Sequence, residues 1–374
     1  MTDVSGTDSQ WRGDWLNRLV ARPGFQSWAS RFPLTRGRAR RDGEALFDLV
    51  QGFVTSQALM ALAELDILPR LRSGPQSAQT LAAGTDIAPD RLEILLQAGA
   101  AMGLLRRKSG ERFGLSRQGA AYLGVPGLDA MIRHHKAFYA DLADPVALLR
   151  GPDRTALSEF WPYVFGAKGS IDPEVADTYS NLMAQSQTLV AADTLHAVRF
   201  SGISRLLDVG GGSGAFLAAV GHAYPGVALD LFDLPAIASQ AEARFAREGL
   251  AGRATIHSGT FRDDPLPKGA DAISLIRVLY DHVDDTVAAL LAKVHDTLPI
   301  GGRLIISEPM SGGTRPDRAG DIYFAFYTLA MQTGRARSAE TIATLCKAAG
   351  FVDIDAPNPI RPFVTSCVTA RKED

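Results

Sequence analysis

The sequence predicts an α/β protein: a Rossmann-like, mostly parallel sheet closed by a C-terminal antiparallel hairpin and preceded by an all-helical, winged-helix domain. Three observations carry that prediction. After residue 201, strand-like runs at 205–209, 228–232, 254–257, 271–276 and 303–307 alternate with helical stretches at 214–223, 235–249, 285–297 and 338–349. That alternation builds parallel βαβ units. The first strand runs into a glycine-rich turn, Leu206-Leu207-Asp208-Val209-Gly210-Gly211-Gly212-Ser213-Gly214. The last apolar runs, 351–354 and 363–369, have no helix between them, so they must pair antiparallel.

A length of 374 residues exceeds one typical core. The expected divisions are 1–42, a basic aromatic segment; 43–125, the winged-helix domain; 126–200, a helical linker and lid; and 201–374, the sheet domain. A formal net charge of −2 with 46% apolar and 21% charged residues suits a soluble globular protein and excludes a generally nucleic-acid-binding surface. Cys346 and Cys367 lie far apart, and the seven histidines show no metal-ligand spacing beyond the adjacent His134-His135 pair, so no metal site is expected. The opening MTDVSGTDSQ lacks the apolar core of a signal peptide, and no stretch approaches 18 uninterrupted apolar residues. The expectation is a cytoplasmic protein with nothing spanning a membrane.

Between 11 and 41, eight arginines face one acid, Asp14, with Trp11, Trp15, Phe25, Trp28 and Phe32 interleaved. Such a segment suits anionic lipid headgroups at the inner membrane, but its rings could equally pack on the second subunit of a dimer. From Glu44 to Leu71 apolar residues recur at helical spacing, predicting a long amphipathic helix or a helix pair. A short helix opening at Ser77, a turn at Ile87–Asp90, a helix from Arg91 to Met102 and two short strands up to Leu115 read as helix-turn-helix with a wing. The presumptive recognition helix offers little to read bases, which favours a dimerisation and lid role over DNA contact.

The glycine turn lets a ligand approach the backbone at the carboxyl edge of the sheet, beside a helix amino end. By itself it fits a dinucleotide pattern through Gly210, Gly212 and Ala215, so both NAD and S-adenosylmethionine are candidates. Asp233, at the end of Leu231-Phe232-Asp233-Leu234-Pro235, is placed to accept both hydrogens of a ribose diol, which both cofactors contain. The terminal hairpin and the lack of a second mononucleotide-binding half disfavour NAD.

The order LLDVGGGSG, FDLP, SGTF (258–261), DAISLIRVLYDH (271–282) and GGRLIISEPM (301–310) resembles the cation-independent O-methyltransferases over nearly the whole chain. Stretches such as Phe25–Arg36, Ala45–Val50, Ile276–His282 and Asp321–Tyr327 look closer to the bacterial carotenoid branch, which methylates acyclic tertiary alcohols of the hydroxyneurosporene and demethylspheroidene type. The resemblance implies S-adenosyl-L-methionine as cofactor and a homodimer formed through the amino-terminal domain. It implies that Gly210 and Gly212 lie under the methionine half and that Asp233, with Leu234 after it, takes the ribose. Gly259, Thr260 and Phe261 would flank the adenine and Arg277 would lie beside the cofactor. An acid usually holds the adenine amine where this chain has Gly259.

The base also departs from the family pattern. Where most members have a catalytic histidine this chain has Tyr280; Glu308 matches the first supporting glutamate, but Ala336 replaces the second. Two candidates remain for handling the acceptor proton, Tyr280 and His282, since histidine titrates near neutrality and tyrosine more naturally orients a hydroxyl. A tertiary alcohol is too weak an acid to be deprotonated before attack, so alignment and late proton loss would supply most of the acceleration. Phe138, Trp161, Met183, Phe324 and Tyr327 are candidate walls of a channel for a lipophilic substrate, while His134 and His135 read mainly as a helix face.

Overall fold

The computed structural model describes residues 15–160 and 186–373, and it divides into two compact units, Met1–Tyr122 and Leu123–Asp374. In the first unit, α1 (Pro23–Ala29) starts with proline at its first turn, where the missing N–H is no loss. Helix α2 (Arg36–Glu64) then runs for 29 residues. It begins eight residues earlier than the expected start at Glu44. Its carboxyl end buries Met60, Leu62 and Ala63, whereas Leu46, Phe47, Leu49, Val50, Phe53 and Val54 are all more than half exposed. By length and composition α2 could cross a bilayer, contrary to the expectation that nothing here could.

The expected helix-turn-helix is present as α3 (Ala78–Ala82) and α4 (Pro89–Ala101). Ser77 caps α3 by accepting the Thr80 amide at 3.1 Å. Strands β2 (Leu105–Lys108) and β3 (Arg112–Leu115) form the antiparallel ribbon after it, and β1 (Gln76–Ser77) adds a third, short strand on β3. Leu62, Leu68, Leu81, Leu92, Leu96, Leu105 and Phe113 are among the buried side chains of this unit.

The second unit is built on a seven-stranded sheet: β4 (Arg205–Val209), β5 (Ala228–Asp233), β6 (Ala254–Ser258), β7 (Ala272–Ile276), β8 (Arg303–Glu308), β9 (Phe351–Asp355) and β10 (Ser366–Lys372). Their spatial order is β6-β5-β4-β7-β8-β10-β9, with β4 to β8 parallel and β10 antiparallel to both its neighbours. Successive side chains on a strand face opposite sides. Leu206, Leu229, Leu231, Ala272 and Ile305 therefore enter one core with Phe200, Phe216 and Phe245, while Leu207, Val209, Ile273, Leu275, Leu304 and Ile306 enter the other with Val287, Leu291, Ile342 and Phe351. Burial on both faces is why these strands read as continuous apolar runs.

Helices α6 (Ala215–Ala223), α7 (Ala238–Arg247), α8 (Asp284–Thr297) and α10 (Ala339–Ala348) supply the crossovers; α5 (Leu128–Asp141) and α9 (Ala325–Met331) lie outside that alternation. The C-terminal pair is antiparallel as expected, with one correction. Residues 363–365 are not strand: Arg361 C=O accepts the amides of Val364 and Thr365 in a turn, leaving Phe363 62% exposed and β10 beginning at Ser366.

Candidate functional site

The strand order reverses at β4, which has β5 on one side and β7 on the other. Ligands of open α/β sheets bind in the crevice beyond the carboxyl ends at such a point. Gly210 leaves β4 with φ +71°, a conformation that L side chains rarely adopt, and its N–H donates to Phe232 C=O at 2.8 Å. A Cβ there would also stand 3.0 Å from the Val278 side chain, so this turn passes directly against the loop after β7.

Asp233 terminates β5, and its carboxylate is held by two backbone donors, Gly212 N–H at 2.7 Å and Leu234 N–H at 2.6 Å. Burial raises its pKa, and those two donors oppose the rise. Each oxygen keeps further acceptor capacity, which is what a vicinal diol requires. Below the turn lies Asp208, which belongs to the glycine-rich motif and whose role residue type alone does not disclose. It is fully buried, accepts Ser274 Oγ–H at 2.5 Å, and burial pushes its pKa up to about 7. Its second oxygen has no hydrogen-bond partner among the described residues.

The next wall follows β6. Gly259 N–H donates to Asp233 C=O at 2.9 Å, and a side chain at Gly259 would meet the Phe232 ring at 2.8 Å. That crowding accounts physically for the missing acid at this position. Thr260 N–H donates to Asp264, and Lys293 pins the segment by donating to the carbonyls of Phe261 (2.7 Å) and Asp264 (2.8 Å). The half-buried Phe261 meets His282 edge-on, centroids 5.2 Å apart. Strand-end carboxylate, open glycine turn and aromatic flank together fit the adenosine and methionine parts of S-adenosylmethionine.

After β7 the chain is strained, since Arg277 takes φ +58°. Its N–H donates to Ser307 C=O at 2.8 Å and its guanidinium to Ser186 Oγ at 3.0 Å. The residues that follow separate the two proton-handling candidates. Tyr280 is buried among Phe138, Tyr327, Ala330 and Met331, and its N–H donates to Glu308 at 3.2 Å. His282 instead faces Phe261 and lies 3.2 Å from the Arg262 guanidinium through Nδ1. Burial, then Arg262 and Arg337, lower its pKa to about 4. It is buried, not a surface residue.

Glu308 is fully buried, and burial raises its pKa to about 7 against the opposing Tyr280 amide; Asp281 is held well above the usual carboxylate range by burial and by Glu308. The buried Arg337, which the sequence did not flag, ties this loop down through Leu279 C=O (2.9 Å), His282 C=O (2.8 Å) and Asp284 (2.6 Å). Next to it Ala336 offers no side chain to the site, its N–H donating to Thr328 Oγ1 at 3.4 Å.

The remaining wall is aromatic. Phe138 of α5 meets Tyr327 of α9 edge-on at 5.4 Å, and the half-buried Phe324 meets Tyr323 at 4.9 Å. Trp161 and Met183 lie outside the described residues. His134 and His135 do not form an outward helix face. His134 Nε2 is 2.8 Å from Tyr327 Oη and His135 Nε2 is 2.7 Å from Tyr323 Oη, and burial lowers both histidines to about 4. Their adjacency was visible in the sequence, but their partners lie 193 and 188 residues away. No local pattern announces such pairs.

Residues 139–352 match the O-methyltransferase domain and residues 47–124 the O-methyltransferase dimerisation domain. The chain is 56% identical over 353 residues to demethylspheroidene O-methyltransferase of Cereibacter sphaeroides, covering 94% of this chain and 93% of that one. It is 48% identical over 361 residues to the enzyme of that name from Rhodobacter capsulatus, covering 96% and 90%. Among solved structures, human N-acetylserotonin methyltransferase in complex with S-adenosylmethionine shares the fold, with TM-score 0.73 and 23% identity over 89% of this chain and 98% of that one.

Proposed function

The chain belongs to the S-adenosylmethionine-dependent O-methyltransferases, and from that premise we propose that it methylates the tertiary hydroxyl of an acyclic carotenoid of the demethylspheroidene type. The observation that carries the substrate is the likeness, over nearly the full chain, to two enzymes named for it. The aromatic and apolar cluster of Phe138, Tyr280, Tyr327 and Met331, with Phe324 beside it, suits a lipophilic acceptor. S-adenosylmethionine supplies an electrophilic methyl group on a sulfonium. Asp233 binds the ribose hydroxyls, Gly210 and Gly212 keep the turn clear of side chains, Phe261 flanks the adenine and Arg277 stands beside them.

An aliphatic alcohol enters this reaction protonated, so the residues around it act mainly by alignment. Glu308, by accepting the Tyr280 amide, fixes the loop that carries Tyr280 into the aromatic cluster. Demethylspheroidene and hydroxyneurosporene, each incubated with the purified protein and S-adenosylmethionine, are the test. A methoxy product from either supports the reading; bound cofactor with no product from both defeats the substrate and spares the family.

The dimerisation domain makes the protein a homodimer, and we infer that the exposed apolar stripe of α2 is the surface it uses. We further infer that residues 15–41 contact anionic lipid, from which so apolar a substrate must be drawn. Trp15, Trp28 and Leu34 are 63%, 49% and 86% exposed, Trp28 and Phe32 stack at 4.8 Å, and seven arginines share the segment. Rings at the interface and arginines on headgroups is the expected pairing. Sedimentation with anionic vesicles should drop when residues 1–41 are deleted; unchanged sedimentation rejects the contact.

A further inference from the structure

Without the histidine–glutamate pair of its family, the chain still has to remove a proton from the acceptor. The balance of the step sets the demand. As the new C–O bond forms, the S–C bond breaks and its electron pair stays on sulfur, giving a neutral thioether. The acceptor oxygen becomes a protonated dialkyl ether, a strong acid, so a weak base suffices provided it is in place.

Three observations converge on one side of the aromatic cluster. Tyr323 lies within the π-helical segment Arg318–Phe324, a geometry that recurs at functional sites because it offsets a side chain from the regular helical spacing. Burial raises the Tyr323 phenol above its ordinary range and the Arg277 charge opposes that rise, and Arg277 directly precedes Val278, whose side chain packs on Gly210 of the cofactor turn. Tyr323 Oη is paired with His135 Nε2 at 2.7 Å, and both residues are half-buried rather than sealed in the core. An imidazole hydrogen-bonded to a phenol is a pair through which a proton can pass.

We propose that Tyr323 and His135 form the proton-accepting relay of this enzyme, Tyr323 Oη taking the proton of the methylated hydroxyl while its own proton passes to His135 Nε2. The imidazolium formed then discharges to solvent when the product leaves. Burial holds His135 near 4, which is no obstacle against a protonated ether and keeps the ring neutral and receptive beforehand. His134, the neighbour of His135 on α5, and Tyr327, four residues after Tyr323, are more deeply buried and hydrogen-bonded to each other beside the relay. The inference rests on the alcohol acceptor proposed above.

The full-length protein, its S-adenosylmethionine affinity measured by calorimetry, is assayed with demethylspheroidene as the Tyr323→Phe, His135→Gln and doubly substituted forms. Removing a general base lowers kcat by roughly 100-fold, with cofactor affinity unchanged. Two residues of one relay share that loss, so the double variant should be no slower than either single one. A solvent deuterium effect on kcat present in the native protein should vanish in Tyr323→Phe. Retained kcat in either single variant, or a loss confined to the KM of the acceptor, overturns the relay; if Tyr323→Phe does not fold, His135→Gln decides alone. Absence of product from the native protein would instead strike the proposed substrate.

Discussion

The proposed cofactor side of the site and the proposed acceptor side are built by different means. Around β4, β5 and β6 the contacts are main-chain: a glycine in left-handed conformation, and amides of Gly212 and Leu234 on the Asp233 carboxylate. Around α5 and α9 they are side chain to side chain, with rings and hydroxyls brought together across about half the chain. A backbone-built site tolerates change around it but not within it. One made of side chains can be retuned residue by residue, which is how a shared methyl-donor site can serve unrelated acceptors.

The sharpest way to break that contrast is Phe138→Ala. It removes a ring that is 5% exposed from the aromatic wall and should cost about 3–5 kcal/mol of stability, read in denaturant unfolding. If the two halves are separable, S-adenosylmethionine affinity stays within about twofold while acceptor turnover collapses. Asp233→Ala is the mirror experiment. Losing two charge-assisted bonds to the ribose should weaken cofactor binding by about 100-fold, or roughly 2.7 kcal/mol, in calorimetry. An unchanged Kd would place the ribose elsewhere.

Two sets of titratable groups on the acceptor side should give opposite responses to pH. Glu308 has a folded pKa of about 7 against an ordinary 4.5, so its contribution to stability is full below 4.5 and is lost as pH rises through 7. His134 and His135 fall from 6.5 to about 4, so their contribution is present above 6.5 and is lost as pH falls towards 4. Glu308→Gln should remove on the order of 1–3 kcal/mol of the decline between pH 4.5 and 7. The Tm of that variant across this window checks it, and a slope identical to that of the native chain contradicts it. The smallest effect is expected from Phe261→Ala, about a tenfold loss of cofactor affinity from one aromatic contact, visible by calorimetry.

The same contrast explains what could be read from the sequence. The strands at 205–209, 228–232 and 303–307 are continuous apolar runs because both faces are covered, and each appears within a residue of its expected bounds. The glycine turn and Asp233 carry their backbone geometry in residue type, so their place at the carboxyl edge of the sheet was legible too. Arg337, Asp208 and the histidine–tyrosine pairs were not. A buried arginine whose acceptors are Leu279, His282 and Asp284 looks in sequence like any surface charge. Tyr280 and His282 stand two residues apart and were indistinguishable as candidates, until the tight turn Leu279–Asp281 sent one to the aromatic wall and the other to Phe261.

The position of β10 has a consequence for how the molecule assembles. It pairs with β8 from Ser366–Glu308 to Arg371–Arg303, and with β9 through Thr369, Arg371 and Lys372, so the strand that comes last in the sequence separates two that precede it. Until Ser366–Lys372 inserts, β8 is an open edge and β9 has no neighbour in the sheet. Open edges of apolar strands recruit other chains. Newly made protein therefore passes through a stage at which it is most prone to aggregate after nearly all of its core residues are already present. Substitutions that weaken the pairing of this strand would prolong that stage far more than their contribution to the core suggests.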